Sequence, residues 1–153
     1  MYGLESYIHS CGLEHPLIHL VKLRASQING CAYCIDMHWK DLRALGEGEQ
    51  RLYGLDAWRE SPYYTARERA ALEWTEAVTC ITEGHASDAA YDAVRAHFSE
   101  KEISDLTIVI TTINAWNRLA ISMRSVPGNY QARAAHPTPT TTIAPAGAAK
   151  SAH

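Results

Sequence analysis

Between Pro62 and Pro127 the chain contains no proline. An interior proline removes a backbone hydrogen bond and clashes with the preceding turn, so its absence leaves room for long unbroken helices. Two signatures for helix starts fall inside this run. Thr65 with Glu68, and Ser99 with Glu102, have the spacing of a capping box, and Phe98 with Ile103 can close a hydrophobic staple around the second. The first box predicts a helix through Ala70, Ala71, Trp74, Val78 and Ile81. The second predicts the longest helix, running towards Met123 with Ile103, Leu106, Ile110 and Ile113 in one stripe. Ser87 is placed to cap a shorter helix between them, carrying Tyr91, Val94 and Phe98 on one side.

The first part of the chain reads the same way. Pro16 suits the first turn of a helix bearing Leu17, Leu20, Val21 and Ile28. Asn29-Gly30 interrupts it. A second helix then places Cys31, Cys34, Ile35, His38, Leu42 and Leu45 on one face, with Asp36, Lys40, Asp41 and Arg43 elsewhere, and Gly46 ends it. A short amphipathic turn with Leu52, Leu55 and Trp58 stops at Ser61-Pro62. No stretch alternates with period two. The expected fold is therefore all-α, with six to seven helices in a core domain over residues 1–127. Residues 128–153, with Pro137, Pro139, Pro145 and tracts of Thr and Ala, have little to bury and are expected to form a disordered tail.

Composition narrows the function. At 153 residues and 46% apolar content, one domain can bury a hydrophobic core without staples. A net charge of −3 with no basic cluster argues against a nucleic-acid partner. Met1 to Leu13 has no basic region leading into an apolar run, and no apolar run approaches the ~18 residues of a membrane span. A cytoplasmic protein with no membrane partner is expected. In that reducing setting, closely spaced cysteines point to catalysis, redox sensing or metal binding rather than to structural disulfides.

Of the four cysteines, two are close: Gly30-Cys31-Ala32-Tyr33-Cys34, followed by His38. Positions i, i+3 and i+7 share a helix face, so the two sulfurs and the imidazole can converge. The Asn29-Gly30 break sets both cysteines near a helix N-terminus, where free amides and the macrodipole favour a thiolate. His38 is placed to accept a thiol proton directly or through a water. A thiolate, a base and a second thiol are the parts of a two-cysteine redox cycle. Two other arrangements compete. The cysteines can be plain core residues, or they can bind zinc with His38 and a fourth ligand such as His19. Cys11 and Cys80 are isolated and read as structural.

The chain resembles the alkylhydroperoxidase D branch of the carboxymuconolactone decarboxylase family, from about Pro16 to Gly128. The resemblance rests on Leu23-Arg24-Ala25-Ser26-Gln27-Ile28-Asn29-Gly30-Cys31 with Cys34 and His38, and on Trp58-Arg59-Glu60-Ser61. It extends to Glu68-Arg69-Ala70-Ala71-Leu72, Trp74-Thr75-Glu76-Ala77 and Asn114-Ala115-Trp116-Asn117-Arg118. It implies an all-helical peroxidase in which Cys34 attacks a hydroperoxide, Cys31 resolves the sulfenic acid, and His38 relays protons. No cofactor is implied. The implied partners are the hydroperoxide and a thiol reductant, lipoyl or thioredoxin-like, and the implied assembly is a homotrimer or homohexamer. Trp58, Trp74 and Trp116 are candidates for the apolar surface that such an assembly covers.

One position departs from the pattern. The family's relay has a glutamate twelve residues before the first cysteine, and here that residue is His19. An imidazole can pass a proton, or, if cationic, attract a thiolate. Glu76 is a candidate for the missing carboxylate, although a structural role suits it better. Asn117 continues the stripe of the last helix and is expected to be buried and hydrogen-bonded, whereas Trp116 and Arg118 read as packing or subunit-contact residues. Two alternatives to the peroxidase remain. One is a carboxymuconolactone decarboxylase-like lactone enzyme, whose members do not rely on a Cys-x-x-Cys pair; the other is a non-enzymatic redox-sensing or metal-binding module.

Overall fold

The computed structural model describes residues 1–132, and these form eight α-helices with no strand. The expected fold class holds. The order is α1 (Tyr2–Ser10), α2 (His15–Asn29), α3 (Ala32–Ala44), α4 (Glu49–Tyr53), a 3₁₀ turn over Leu55–Ala57, α5 (Ala66–Thr79), α6 (Ile81–Gly84), α7 (Asp88–Arg95) and α8 (Glu100–Ser122). The count exceeds the expected six to seven because α1 and the single-turn α6 carry too few buried residues to show as periodic stripes. Of α1 only Ile8 is buried, and none of α6 is.

The caps behave as their sequences predict. Both capping boxes are closed in both directions, at Thr65/Glu68 and at Ser99/Glu102. The Ser87 side chain accepts from the Ala90 amide. Helix α2 ends where Gly30 turns left-handed at φ 67°. The Gly30 N–H bonds to the Gln27 carbonyl and the Cys31 N–H to the Ser26 carbonyl, which together make a Schellman closure. Gly46, at φ 90°, ends α3 in the same manner, with Glu47 N–H on the Leu42 carbonyl. Leu45 falls at that C-cap and is exposed, so the apolar face of α3 stops at Leu42.

Helix α2 is the centre of the molecule, packed against α3, α5 and α8. Leu20 and Leu23 on α2 meet Leu42, Leu52, Leu55, Trp58 and Leu72 in one cluster. Each fully buried leucine contributes roughly 2 kcal/mol of transfer free energy. On the other side Leu17, Ile18 and Val21 join the stripe of α8, including Ile103, Leu106 and Ile110, with Trp74 from α5. Trp58 and Trp74 are thus interior residues, not a subunit surface: the amphipathic turn and α5 direct their rings into the core. The exposed apolar residues instead include Tyr2 and Leu4 at the start of the chain and Leu119, Ile121, Met123 and Val126 near the end of α8.

No helix of the described residues is long and apolar enough to cross a membrane. Residues 133–153, most of the segment expected to be disordered, lie outside the described residues. The first residues of that segment are fastened to α3. Lys40 Nζ donates to the carbonyls of Gly128 and Tyr130, Gly128 N–H donates to Asp36, and the Tyr130 hydroxyl donates to Asp41 Oδ1 at 2.7 Å.

Candidate active site

The left-handed Gly30 folds α3 back along α2 as a helical hairpin, and the conspicuous residues lie at and just beyond its bend. Cys31 is the N-cap of α3: its sulfur accepts the Cys34 N–H at 3.4 Å, the position a serine or aspartate oxygen takes in other caps. Both cysteines are buried and both are free thiols. They pack with Ala25 and Ile113, against Tyr33, Trp116 and Ala120. The Cys31 sulfur thus caps the turn that carries Cys34, and both residues pack between α2 and α8.

Burial changes the expected chemistry of Cys34. Desolvation, reinforced by the neighbouring Cys31 thiol, pushes the Cys34 thiol up to about 12, while the Asn117 side chain opposes the rise. A helix N-terminus favours the thiolate; at Cys34 the loss of water outweighs it. Asn117 itself is fully buried, as its place in the stripe predicts. Its Nδ2 donates to Ser26 Oγ at 3.0 Å and its Oδ1 accepts from Asn29 Nδ2 at 2.9 Å, which ties α8 to the end of α2.

Two turns into α3, His38 is buried to 3% exposure. Its Nδ1 lies 3.3 Å from Nδ1 of His19 and 3.5 Å from Asp41 Oδ2, and His19 Nδ1 is 3.4 Å from the same oxygen. Its other nitrogen, Nε2, is buried with no hydrogen-bond partner among the described residues. Burial, then the facing His38, lowers His19 to about 4, with Asp41 acting in the opposite sense. Burial also lowers His38, again against Asp41. Both rings are therefore neutral at pH 7 and Asp41 is charged, its carboxyl held below its usual range by His38, Tyr130 and His19 in spite of its burial.

Asp41 is the residue that sequence reasoning misplaces. Its charge assigns it to the polar side of α3, yet it stands three residues after His38, and i, i+3 pairs are neighbours on a helix. That spacing is the available signal. Asp41 Oδ2 stands within 3.5 Å of both His19 and His38. Glu76 does not: Arg24, Trp58 and Arg59 hold it at 2.7–2.9 Å as a structural anion. Glu5 also escapes sequence reasoning. It accepts from Lys22 at 2.7 Å and from Trp116 Nε1 at 2.9 Å, which secures α1 against α2 and α8.

An open cavity of about 400 Å³ reaches Cys34. Tyr2, Tyr33, Met37 and Trp116 line it, with Cys34 and Asp41 among its walls. Trp116 is thus a cavity residue as well as a packing one, and Tyr33 and Met37, between the marked cysteines and histidine, gain a role that their types alone do not suggest. Arg118 is exposed and bonds to Asn114 on its own helix. Cys11 and Cys80 are partly buried and stand apart from the pair, Cys11 against the core and Cys80 at the C-cap of α5.

Known proteins share this architecture. The sequence profile of the carboxymuconolactone decarboxylase family matches residues 3–77. The uncharacterized protein YdfG of Bacillus subtilis is 44% identical over 123 residues, which cover 80% of this chain and 84% of YdfG. A crystal structure from Agrobacterium tumefaciens, of a protein of unknown function proposed to be the antioxidant defence protein AhpD, is 53% identical. It superposes with a TM-score of 0.81, covering 83% of this chain and 87% of that one. An uncharacterized peroxidase-related protein from a Silicibacter species shares the fold at 23% identity and a TM-score of 0.73, over 84% and 68% of the two chains. The chain belongs to the carboxymuconolactone decarboxylase family, in its alkylhydroperoxidase D-like branch.

Proposed function

We propose that this protein is a cytoplasmic thiol-dependent peroxidase, an antioxidant enzyme that reduces hydroperoxides through Cys34 and Cys31. The observation that carries the reading is the placing of the pair: Cys34 borders an aromatic-walled cavity, and the Cys31 sulfur accepts the Cys34 N–H one helical turn away. The kinship with the proposed antioxidant protein of Agrobacterium tumefaciens supports it.

In this reading the Cys34 sulfur attacks the peroxide. The O–O bond breaks, the sulfur takes one oxygen and becomes a sulfenic acid, and the other oxygen leaves as an alkoxide that takes up a proton. The Cys31 sulfur then displaces the sulfenic oxygen, which departs as water, and a disulfide forms. A dithiol donor, lipoyl or thioredoxin-like, restores both thiols and is itself oxidised to a disulfide. With the Cys34 thiol pushed up to about 12, almost every chain carries the neutral thiol at pH 7. Attack therefore has to be coupled to proton removal. His38 Nε2, unpaired and buried, is the candidate acceptor, and His19, whose side chain is 24% exposed, connects that ring towards solvent. A homotrimer or homohexamer is the assembly that goes with this reading.

Consumption of an alkyl hydroperoxide, with dihydrolipoamide or reduced thioredoxin as donor, tests it. Turnover is expected from the wild type and none from Cys34→Ser. Equal turnover in both, or none in a fully reduced wild type with either donor, overturns the proposal.

A further inference from the structure

Three electron-pair donors meet between α2 and α3. The separations are 3.3 Å for His19 Nδ1 to His38 Nδ1, 3.4 Å for His19 Nδ1 to Asp41 Oδ2, and 3.5 Å for His38 Nδ1 to Asp41 Oδ2. Protons fit this near-equilateral triangle poorly. If both rings donated to Oδ2, the two bonds would meet at roughly 60°, much closer than the lone-pair directions of an sp² oxygen. If only one donates, the other Nδ1 turns its lone pair towards a donor already committed to the carboxylate.

A cation fits it well. Nitrogen and oxygen donors about 2.0–2.1 Å from Zn²⁺ in a tetrahedron stand about 3.4 Å apart, whereas adjacent octahedral donors at that bond length stand about 3.0 Å apart. The three observed separations match the tetrahedral edge. We propose that His19, His38 and Asp41 form a three-ligand site for a zinc-class divalent cation, tetrahedral with the fourth position open.

The surroundings agree. The free carboxylate oxygen, Oδ1, accepts the Tyr130 hydroxyl at 2.7 Å, an outer partner of the kind that orients a ligating carboxylate. Of the nearby charged groups, Lys22 is paired with Glu5, which leaves Asp41 to supply the net negative charge. His19 borders an open cavity of about 470 Å³ whose walls include His9 and His15, a path by which an ion can enter. Neither cysteine sulfur belongs to this cluster. The site is thus distinct from the cysteine-based zinc arrangement that spacing alone allows. A neutral His38 that ligates through Nδ1 carries its proton on Nε2, so with the ion bound Nε2 cannot accept the Cys34 proton, and that relay belongs to the metal-free protein.

Cobalt(II) is a suitable probe, because its visible absorption is intense in tetrahedral sites and weak in octahedral ones. The full chain carrying Cys31→Ser and Cys34→Ser removes the two thiols of the Cys-x-x-Cys pair. One cobalt per chain is expected, with tetrahedral intensity, no sulfur charge-transfer band, and displacement by zinc. Added singly to that background, His19→Gln and Asp41→Asn should each weaken binding by about 100-fold or more, and Tyr130→Phe, which leaves all three ligands in place, by about tenfold. Failure of the double-serine protein to bind cobalt, octahedral-type absorption, or binding unchanged by His19→Gln overturns the proposal. Because binding is read without turnover, its failure is separate from any failure of the peroxidase reading.

Discussion

Nδ1 of His19 and Nδ1 of His38 lie 3.3 Å apart across the α2–α3 hairpin, like atoms of like residues from the two sides of the Gly30 bend. Two cationic rings cannot occupy that geometry, and Asp41 Oδ2 completes it with a charge of the opposite sign. The pair gives the site a defined electrostatic state at neutral pH and makes it sensitive to acid.

That sensitivity has a sign. The His19 imidazole titrates near 4 in the folded protein against an ordinary value of 6.5. As pH falls below 6.5 the unfolded chain binds a proton that the folded chain refuses, so folding free energy is lost down to about pH 4 and not further on this account. Above pH 6.5 the group contributes nothing. Urea titrations at intervals from pH 7 to about 4, in chelator, should show this loss, and the slope should shrink in His19→Gln. A variant whose stability falls as steeply as the wild type would place the acid sensitivity elsewhere.

Much of this is legible in the sequence, and the part that is not has a physical cause. Caps are local: Thr65/Glu68 and Ser99/Glu102 fix helix starts from four residues each, so those boundaries can be read directly. The Asn29-Gly30 break is local too, although Cys31 falls just outside α3 as its extended N-cap and not on the helix face. What brings His19 to His38 is the packing of two helices, which sequence spacing cannot give; position 19 draws attention only as a possible ligand and through the family's relay pattern. Asp41 escapes notice for a different reason. Its charge suggests a solvated face, although its i, i+3 offset from His38 implies contact. Glu5 lies on α1, whose lone buried residue, Ile8, leaves no periodic stripe.

The cysteines should oxidise selectively. Peroxide treatment followed by alkylation and peptide mapping is expected to find one intramolecular Cys31–Cys34 disulfide, with Cys11 and Cys80 still alkylated. Those two stand apart from the pair, Cys11 against the core and Cys80 at the C-cap of α5. A sulfenic-acid probe should label Cys34 in Cys31→Ser and nothing in Cys34→Ser. Labelling of Cys31 in the second variant would exchange the roles of the two sulfurs.

Gly30 controls the bend on which the site depends. At φ 67° an alanine is strained even though its Cβ would meet no atom within 4 Å, so the cost is conformational and not a clash. Gly30→Ala should lower stability by about 1–2 kcal/mol, measured by urea denaturation. Gly30→Asn should cost less, because asparagine tolerates the left-handed region. Equal losses in the two variants would mean that something other than backbone strain sets the cost.

Asn117 offers a test of what governs Cys34. Its amide opposes the burial that raises the thiol, and it is held in place by Ser26 and Asn29. Asn117→Asp keeps the shape, so no cavity opens and water gains no new route to the sulfur. It removes the N–H donors in either protonation state, and when ionised it adds a like charge beside a developing thiolate. Both changes act in one direction, raising the Cys34 thiol further. Because the wild-type thiol already titrates far above neutrality, the effect appears as a rate: a thiol that titrates about one pH unit higher should be alkylated about tenfold more slowly at a fixed pH near 8. The profile should move to higher pH while Cys11 and Cys80 react as before and serve as internal controls. An unchanged Cys34 profile, or one moved to lower pH, would show that Asn117 does not act on the sulfur.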